Sequence, residues 1–150
     1  MMDERIQIWN LLHDGEITAV AGEGGQTLTM FVSVPFLRRR LAPLGDSFVI
    51  VLSGLTLLEF HDFAGTKISL AEELEIGTPE ILSTESESMP IKIETTMGQL
   101  TLSFQSIRFT LDTGGDIEYE AIARVCEEYW ADWNARAEQR AASDARDART

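Results

Sequence analysis

The hydrophobic positions of this chain follow a helical spacing near its two ends and an alternating spacing between them. Apolar residues over 4–13 cluster on one side of a helix, and Gly15 is expected to end that helix in the left-handed conformation. Residues 5–8 also alternate, so a short strand stays open as an alternative there. The N-terminal segment is therefore predicted to be a short helix.

From Glu16 onward the spacing changes to two, which predicts a β-hairpin with strands over 17–20 and 28–34. The glycine-rich segment 22–25 forms its tip, because glycine adopts positive φ without strain. Pro35 has no N–H to donate, so it ends the second strand and begins a short helix.

The most apolar segment, 48–52, predicts the central strand, because a nearly continuous apolar run is typical of a strand buried on both faces. Alternation predicts further strands over 55–60, 81–83, 91–94 and 100–104. Residues 107–111 alternate out of phase with 100–104. A bulge near Gln105 and Ser106 would return both sets to one face.

Gly114 and Gly115 end the sheet, and Asp116 is the expected N-cap of one long helix. Its apolar stripe comprises Tyr119, Ile122, Cys126, Tyr129, Trp130, Trp133 and Ala137.

The sequence therefore predicts one α+β domain over 1–137, with a twisted antiparallel β-sheet of about six to eight strands. A long C-terminal helix packs on the sheet and a short N-terminal helix covers one edge. Residues 138–150 form a tail predicted to fray.

Composition, net charge and cysteine content exclude several classes of partner and binding site. The chain has 150 residues, 44% of them hydrophobic, and its 25 acidic and 12 basic side chains give a net charge of −13. An acidic chain lacks the basic surface that nucleic acids require. One cysteine excludes an internal disulfide and a cysteine-rich zinc site. No apolar run approaches the roughly 20 residues of a membrane span. A cytoplasmic protein without nucleic-acid or membrane partners is expected.

The negative charge is concentrated in residues 71–120, which contain 11 acidic and 2 basic side chains. Such a stretch steers a basic partner by long-range attraction, or it serves solubility and protects strand edges. We call seven glutamates of this stretch the acidic sector and predict that they bind a partner: Glu72, Glu73, Glu75, Glu80, Glu85, Glu87 and Glu94.

Two His-Asp pairs offer an alternative, at His13-Asp14 and His61-Asp62. Imidazole and carboxylate together hold a divalent metal or form a base for hydrolysis. Each pair also falls at the end of an element, where these residues commonly cap or turn the chain, and no further ligand lies at a diagnostic spacing. No metal or other cofactor is assigned, and the metal-binding or hydrolase alternative stays open.

Two other features invite a chemical interpretation. The basic run Arg38–Arg40 could clamp an anion, although such runs are commonly a solvated helical face. Cys126 falls on the apolar stripe of the long helix, so its thiol is expected to be buried and inert.

Several short segments resemble small acidic bacterial proteins of the immunity type, which neutralise toxins of polymorphic and contact-dependent systems. The resemblance lies in 9–17, 34–37, 98–104 and 115–117. It implies an antiparallel sheet joined to one or two helices, and inhibition by covering the toxin's active site without catalysis. The toxin-contacting residues of such proteins vary, so none is assigned here from the resemblance.

The function predicted from the sequence is therefore that of a non-catalytic binding protein, and the resemblance implies an immunity-type inhibitor. Its acidic sector would meet a protein with a basic surface, for example a nuclease toxin. The alternatives are the metal-binding domain or hydrolase described above, and a structural domain that associates with itself through exposed aromatic residues.

Overall fold

The computed structural model describes residues 3–147, which form four helices and ten strands. The helices are α1 (Glu4–Leu11), α2 (Pro35–Arg38), α3 (Leu70–Ile76) and α4 (Tyr119–Asp147). The strands are β1 (Glu16–Ala21), β2 (Thr27–Ser33), β3 (Ser47–Ser53), β4 (Leu57–Asp62), β5 (Lys67–Ile68), β6 (Ile81–Ser83), β7 (Ile91–Thr95), β8 (Gly98–Ser103), β9 (Ser106–Leu111) and β10 (Asp116–Ile117). The predicted α+β class is confirmed.

The strands form two antiparallel sheets of five strands, where the sequence predicts one larger sheet. Sheet A has the order β1-β2-β3-β9-β10, with β3 in the centre as predicted, and sheet B has the order β5-β4-β8-β7-β6. The chain crosses between the sheets after β3 and again after β8. At these crossings a Cβ on Gly54 would lie 2.8 Å from the Cβ of Gln105, so the position requires glycine. The predicted bulge near Gln105 and Ser106 is wrong, because the chain passes there from β8 in sheet B to β9 in sheet A.

Backbone hydrogen bonds also join the two sheets along the edges of β1 and β6. The Asp14 N–H donates to the Ile81 carbonyl, the Ile81 N–H donates to the Gly15 carbonyl, and each bond is 2.8 Å long. The Ile17 N–H donates to the Pro79 carbonyl at 2.9 Å. This junction places the start of β1 directly beside the start of β6.

The end of α1 corrects the prediction for Gly15. Asp14, and not Gly15, adopts the left-handed conformation, with φ of 69°, which aspartate tolerates better than most residues. Gly15 is required for a different reason, because a Cβ there would lie within 3 Å of the Val32 and Val34 side chains and the Leu12 carbonyl.

Helix α1 contributes large apolar side chains to the core. Ile8, Trp9 and Leu12 are fully buried, and the Trp9 indole N–H donates to the Arg5 carbonyl at 2.9 Å, so no donor is left unpaired. Arg5 in turn donates to the Gln105 carbonyl at 3.0 Å, which ties the helix to the crossing between the sheets.

Helix α4 packs chiefly on α1 and α2. Ile122 and Cys126 are buried in the core, and the Cys126 thiol donates to the Leu11 carbonyl at 3.6 Å. Tyr129 packs against Phe36 of α2 with ring centroids 4.6 Å apart. The predicted aromatic stripe therefore contacts helices, and it becomes more exposed toward the C-terminal end of α4.

The start of α4 differs from the sequence prediction. Asp116 lies in β10, where it pairs with Thr110 of β9, and it does not cap the helix, because the tight turn at Gly114–Gly115 lets the chain add a short strand first. The helix continues through Glu138 to Asp147, and fraying of this end stays a prediction. Side chains over 138–146 are exposed, so intrinsic helix propensity and not packing favours this extension. Residues 148–150 of the predicted tail lie outside the described residues.

Arg38 is fully buried and connects α2, β3 and the β9–β10 turn. Its guanidinium donates to the Asp112 carboxylate at 2.9 Å, to the Ser47 carbonyl at 3.2 Å and to the Thr113 hydroxyl at 2.9 Å. Although burial raises the pKa of Asp112, hydrogen bonds from the Asp46 and Ser47 amides and from Arg38 lower it overall. Arg38 is thus a structural residue and is not available as an anion clamp.

Candidate partner-binding surface

Helix α3 presents part of the acidic sector to solvent. Ser69 caps the helix by accepting the Glu72 N–H at 3.1 Å, and both Glu72 and Glu75 are exposed. Glu73 is only 4% exposed because it shares one helix face with the buried Leu70. Its Oε2 has no hydrogen-bond partner among the described residues. Glu73 therefore does not belong to the surface that the sequence predicts.

Three carboxylates meet at the junction between the sheets, and we call Asp14, Glu16 and Glu80 the acidic seam. Glu16 lies directly opposite Glu80 in an antiparallel bridge. The Thr78 hydroxyl donates to Glu16 Oε2 at 3.2 Å, and the Glu80 N–H donates to the Thr96 hydroxyl at 2.9 Å. Both glutamates are thus held in place next to each other.

The acidic seam perturbs the ionisation of Glu80. Burial raises the pKa of the Glu80 carboxyl, and a hydrogen bond with Asp14 and the negative charges of Asp14 and Glu16 raise it further. A pair of like charges directly opposite each other in a sheet is destabilising. The seam is therefore a place where the fold tolerates electrostatic repulsion.

Glu94 and Glu85 line an open groove of about 420 Å³ on the outer face of β6 and β7. Glu94 accepts a hydrogen bond from the Gln99 side-chain amide at 2.7 Å, and Lys92 is the basic residue among the groove's lining. The groove and the seam lie along the same pair of strands, β6 and β7. Glu94 pairs with Ser83 at the groove, and the Thr96 N–H donates to the Glu80 carbonyl at the seam. Glu87 is exposed in the following loop.

Exposed apolar side chains accompany these acids. Ile76, at the end of α3, is 75% exposed, and Leu82, in β6, is 44% exposed. Both residues directly adjoin the part of the chain that holds Glu75 and Glu80. This surface therefore offers apolar contact area as well as negative charge.

The two His-Asp pairs lie in different elements and have local partners. His13 stacks on Trp130 with ring centroids 5.1 Å apart, and its Nδ1 lies 2.8 Å from the Asn10 carbonyl. Its Nε2 is 4.0 Å from the Asp14 carboxylate. These contacts fix the imidazole between α1 and α4.

His61 lies in β4, where it pairs with Gln99 on one side and Lys67 on the other. Asp62 accepts the Ala64 and Thr66 amides at 3.0 and 2.9 Å, so it closes the β4–β5 turn. Within residues 3–147, no group of three or more His, Cys, Asp or Glu side chains could hold a metal ion.

Arg39, Arg40 and Cys126 are the other side chains for which the sequence suggests a chemical role. Arg40 pairs with Asp132 of α4 at 2.8 Å and lies over the Tyr129 ring, while Arg39 is exposed. Cys126 is buried as predicted, and this burial raises the pKa of its thiol.

Sequence reasoning missed that Asp14 and Glu16 belong with the acidic sector. From the sequence, Asp14 suggests a metal ligand or a residue that ends an element, and Glu16 suggests the start of a strand. Asp14 lies just before β1 and Glu16 is its first residue. An edge strand such as β1 can pair with a distant strand, but no local pattern identifies β6 as that strand.

No family model, curated protein or solved structure matches this chain. None of the helices in the described part of the chain combines the length and the apolarity needed to cross a bilayer.

Proposed function

We propose that this chain is a non-catalytic binding protein of the immunity type, which covers a basic surface of a protein toxin with its acidic face. The observation that supports it most is the acidic seam, where Glu16 directly opposes Glu80 and Asp14 contacts Glu80. Such repulsion costs stability, and proteins retain costly arrangements where binding requires them. A lysine or arginine from a partner would relieve the repulsion on binding.

The surroundings of the seam also suit a protein partner. Interfaces between proteins combine an apolar centre with a polar rim, and Ile76 and Leu82 are exposed beside the acidic residues. Glu72 and Glu75 are exposed on α3, which contacts β1, and Glu85 and Glu94 line the groove on β6 and β7, so further negative charge lies on elements that adjoin the seam.

The mechanism is steric and electrostatic occlusion. The carboxylates take the positions that an anionic substrate would occupy on the toxin, for example the phosphates of a nucleic acid in a nuclease groove. The inhibitor needs no reaction of its own, and the compartment that this proposal assumes is the cytoplasm.

The test is co-expression with the protein product of the adjacent gene in a foreign host. We expect that product alone to arrest growth and this chain to restore it. The double variant Glu16→Gln, Glu80→Gln should lose protection and bind the product at least about 10-fold more weakly. Neutral glutamines remove the repulsion within the seam and should not destabilise the fold, and urea denaturation of the double variant checks that a loss of binding does not come from unfolding.

The matched control is Glu127→Gln, Glu138→Gln, which removes two exposed charges from α4. It should protect as well as the unmodified chain. Equal binding by the seam variant and the control would contradict the proposed surface, and a harmless adjacent product would contradict the immunity function.

A further inference from the structure

One edge of β4 is only partly covered. The strand pairs with β8 from Leu57 to Asp62, but β5 pairs with it only at Phe60 and His61. Within residues 3–147, no strand lies beside the other edge at Leu57–Glu59. A free strand edge presents backbone donors and acceptors that another extended chain can pair with.

The direction of the backbone groups identifies Leu58 as the unpaired residue. The Asp62 N–H donates to the Thr66 carbonyl at 3.0 Å, on the β5 side. In antiparallel pairing, alternate residues direct both their N–H and C=O groups to the same edge. Leu58 therefore directs both groups to the open edge, while Glu59 directs its groups to β8.

The open edge borders a groove of about 620 Å³. Gly24 and Gln26 of the β1–β2 hairpin tip form one wall, and Ile68 forms the other. The hairpin tip is fixed, since the Glu23 carboxylate accepts the Leu70 and Ala71 amides at 2.8 and 3.0 Å. The Leu55 N–H donates to the Gln26 carbonyl at 2.8 Å, which fixes the second side of the tip.

The groove is apolar on one side and charged on the other. Leu58 and Phe60 lie on the same face of β4. Ile68 pairs with Phe60 across β4 and β5, and its half-buried side chain lies on that same face. Glu59 points to the opposite face, where its carboxylate lies 3.5 Å from the Lys67 ammonium. With Glu23 also on the groove wall, its formal charge is negative.

We propose that the open edge of β4 docks an extended segment of a protein partner, which adds as a short strand in line with β5. Its backbone pairs with Leu58, an apolar side chain contacts Leu58 and Ile68, and basic side chains face Glu59. The acidic net charge of the chain favours such a segment. The site is separate from the acidic seam and does not depend on the immunity function.

The test uses the full chain and the synthetic peptide acetyl-Lys-Val-Lys-Val-Lys-amide. Amide hydrogen exchange, followed by NMR, reports on single residues. In the free protein the Leu58 amide should exchange at least about 10-fold faster than the Glu59 amide, and saturating peptide should slow the Leu58 amide by about 10-fold or more. Binding is expected below about 1 mM.

Two controls separate strand addition from nonspecific attraction. A peptide N-methylated at both valine amides keeps the charge but loses the backbone donors that face Leu58, and it should bind at least about 10-fold more weakly. Thr56→Trp fills the groove from an exposed lining residue and should weaken binding to the same degree. Thr18→Trp, at an exposed position of β1, should leave binding within about 2-fold.

Several results would overturn the proposal. These are a Leu58 amide already protected in the free protein, no binding of the peptide at about 1 mM, or equal binding of the N-methylated peptide. A dimer that Thr56→Trp dissociates would assign the groove to a second copy of the chain, and it would also overturn the proposal.

Discussion

Glu80 illustrates how one side chain can lower the stability of a fold at neutral pH. Its pKa is raised by burial and by Asp14 and Glu16, so the folded state binds this proton more tightly than the unfolded state does. The stabilisation from the protonated form is complete below the ordinary glutamate pKa of 4.5 and is lost as the pH rises through the folded-state pKa. At neutral pH the ionised group is therefore a net cost.

We accordingly expect Glu80→Gln to increase the free energy of unfolding at pH 7 by about 0.2–1 kcal/mol. At a pH of about 4 the gain should vanish, because Glu80 itself is then protonated in the folded state. Urea denaturation at both pH values measures this, with the exposed Glu127→Gln as a control that changes neither value. An equal gain at both pH values would contradict the electrostatic explanation.

Arg38 has the opposite effect, since its buried guanidinium stabilises the contacts among α2, β3 and the β9–β10 turn. Arg38→Met should lower the free energy of unfolding by about 3 kcal/mol, because it leaves Asp112 without its cation. Arg39→Met, at the neighbouring exposed position, should change it by less than about 0.5 kcal/mol. Urea denaturation of both variants tests the assignment, and similar losses would refute it.

Asp112 adds a pH dependence of its own. Its pKa is lowered below the ordinary value of 3.8, so its contribution is present above that pH and is lost as the pH falls through the folded-state pKa. Asp112→Asn should therefore reduce the difference in stability between neutral and strongly acidic solution. Acid titration of unfolding, compared with the unmodified chain, shows whether it does.

Among the elements, α4 combines a packed half with an exposed half. Ile122 and Cys126 are buried, Trp133 is 48% exposed, and the side chains over 138–146 are exposed. Removing residues 138–150 should therefore change the free energy of unfolding by less than about 1 kcal/mol. Ile122→Ala, in the packed half, should cost about 2–4 kcal/mol. Thermal unfolding of both variants makes the comparison, and a large loss on truncation would show that the exposed half contributes to the fold.

Local sequence patterns predicted most of these elements and only part of the candidate surface. The β1–β2 hairpin followed from alternation and its glycine tip, because the signal lies within one short segment. The start of α4 was misplaced, because Asp116 suits an N-cap and a strand position equally and only the pairing with Thr110 decides between them. The acidic seam depends on β1 meeting β6, which no local pattern encodes.

At the scale of the whole molecule, the net charge of −13 should govern how quickly a basic partner is captured. We expect the association rate with the adjacent gene product to fall as salt is added. Glu72→Lys, Glu75→Lys should slow association at low salt, since both residues are exposed on α3. The control Glu127→Lys, Glu138→Lys makes the same change in net charge on α4 and should slow it less. Stopped-flow measurements at several ionic strengths test this, and equal rates for both variants would exclude a specific role of α3.

The position of α1 has a consequence for how the protein reaches its native state during synthesis. Leu11 contacts Cys126, 115 positions later in the chain, and Asn10 and Arg5 bond to Thr84 and Gln105. Helix α1 thus leaves the ribosome before these partners, the farthest of which is translated 115 positions after Leu11. Trp9 and its apolar neighbours therefore stay exposed until the distant core residues have been translated, which favours late formation of this part of the core.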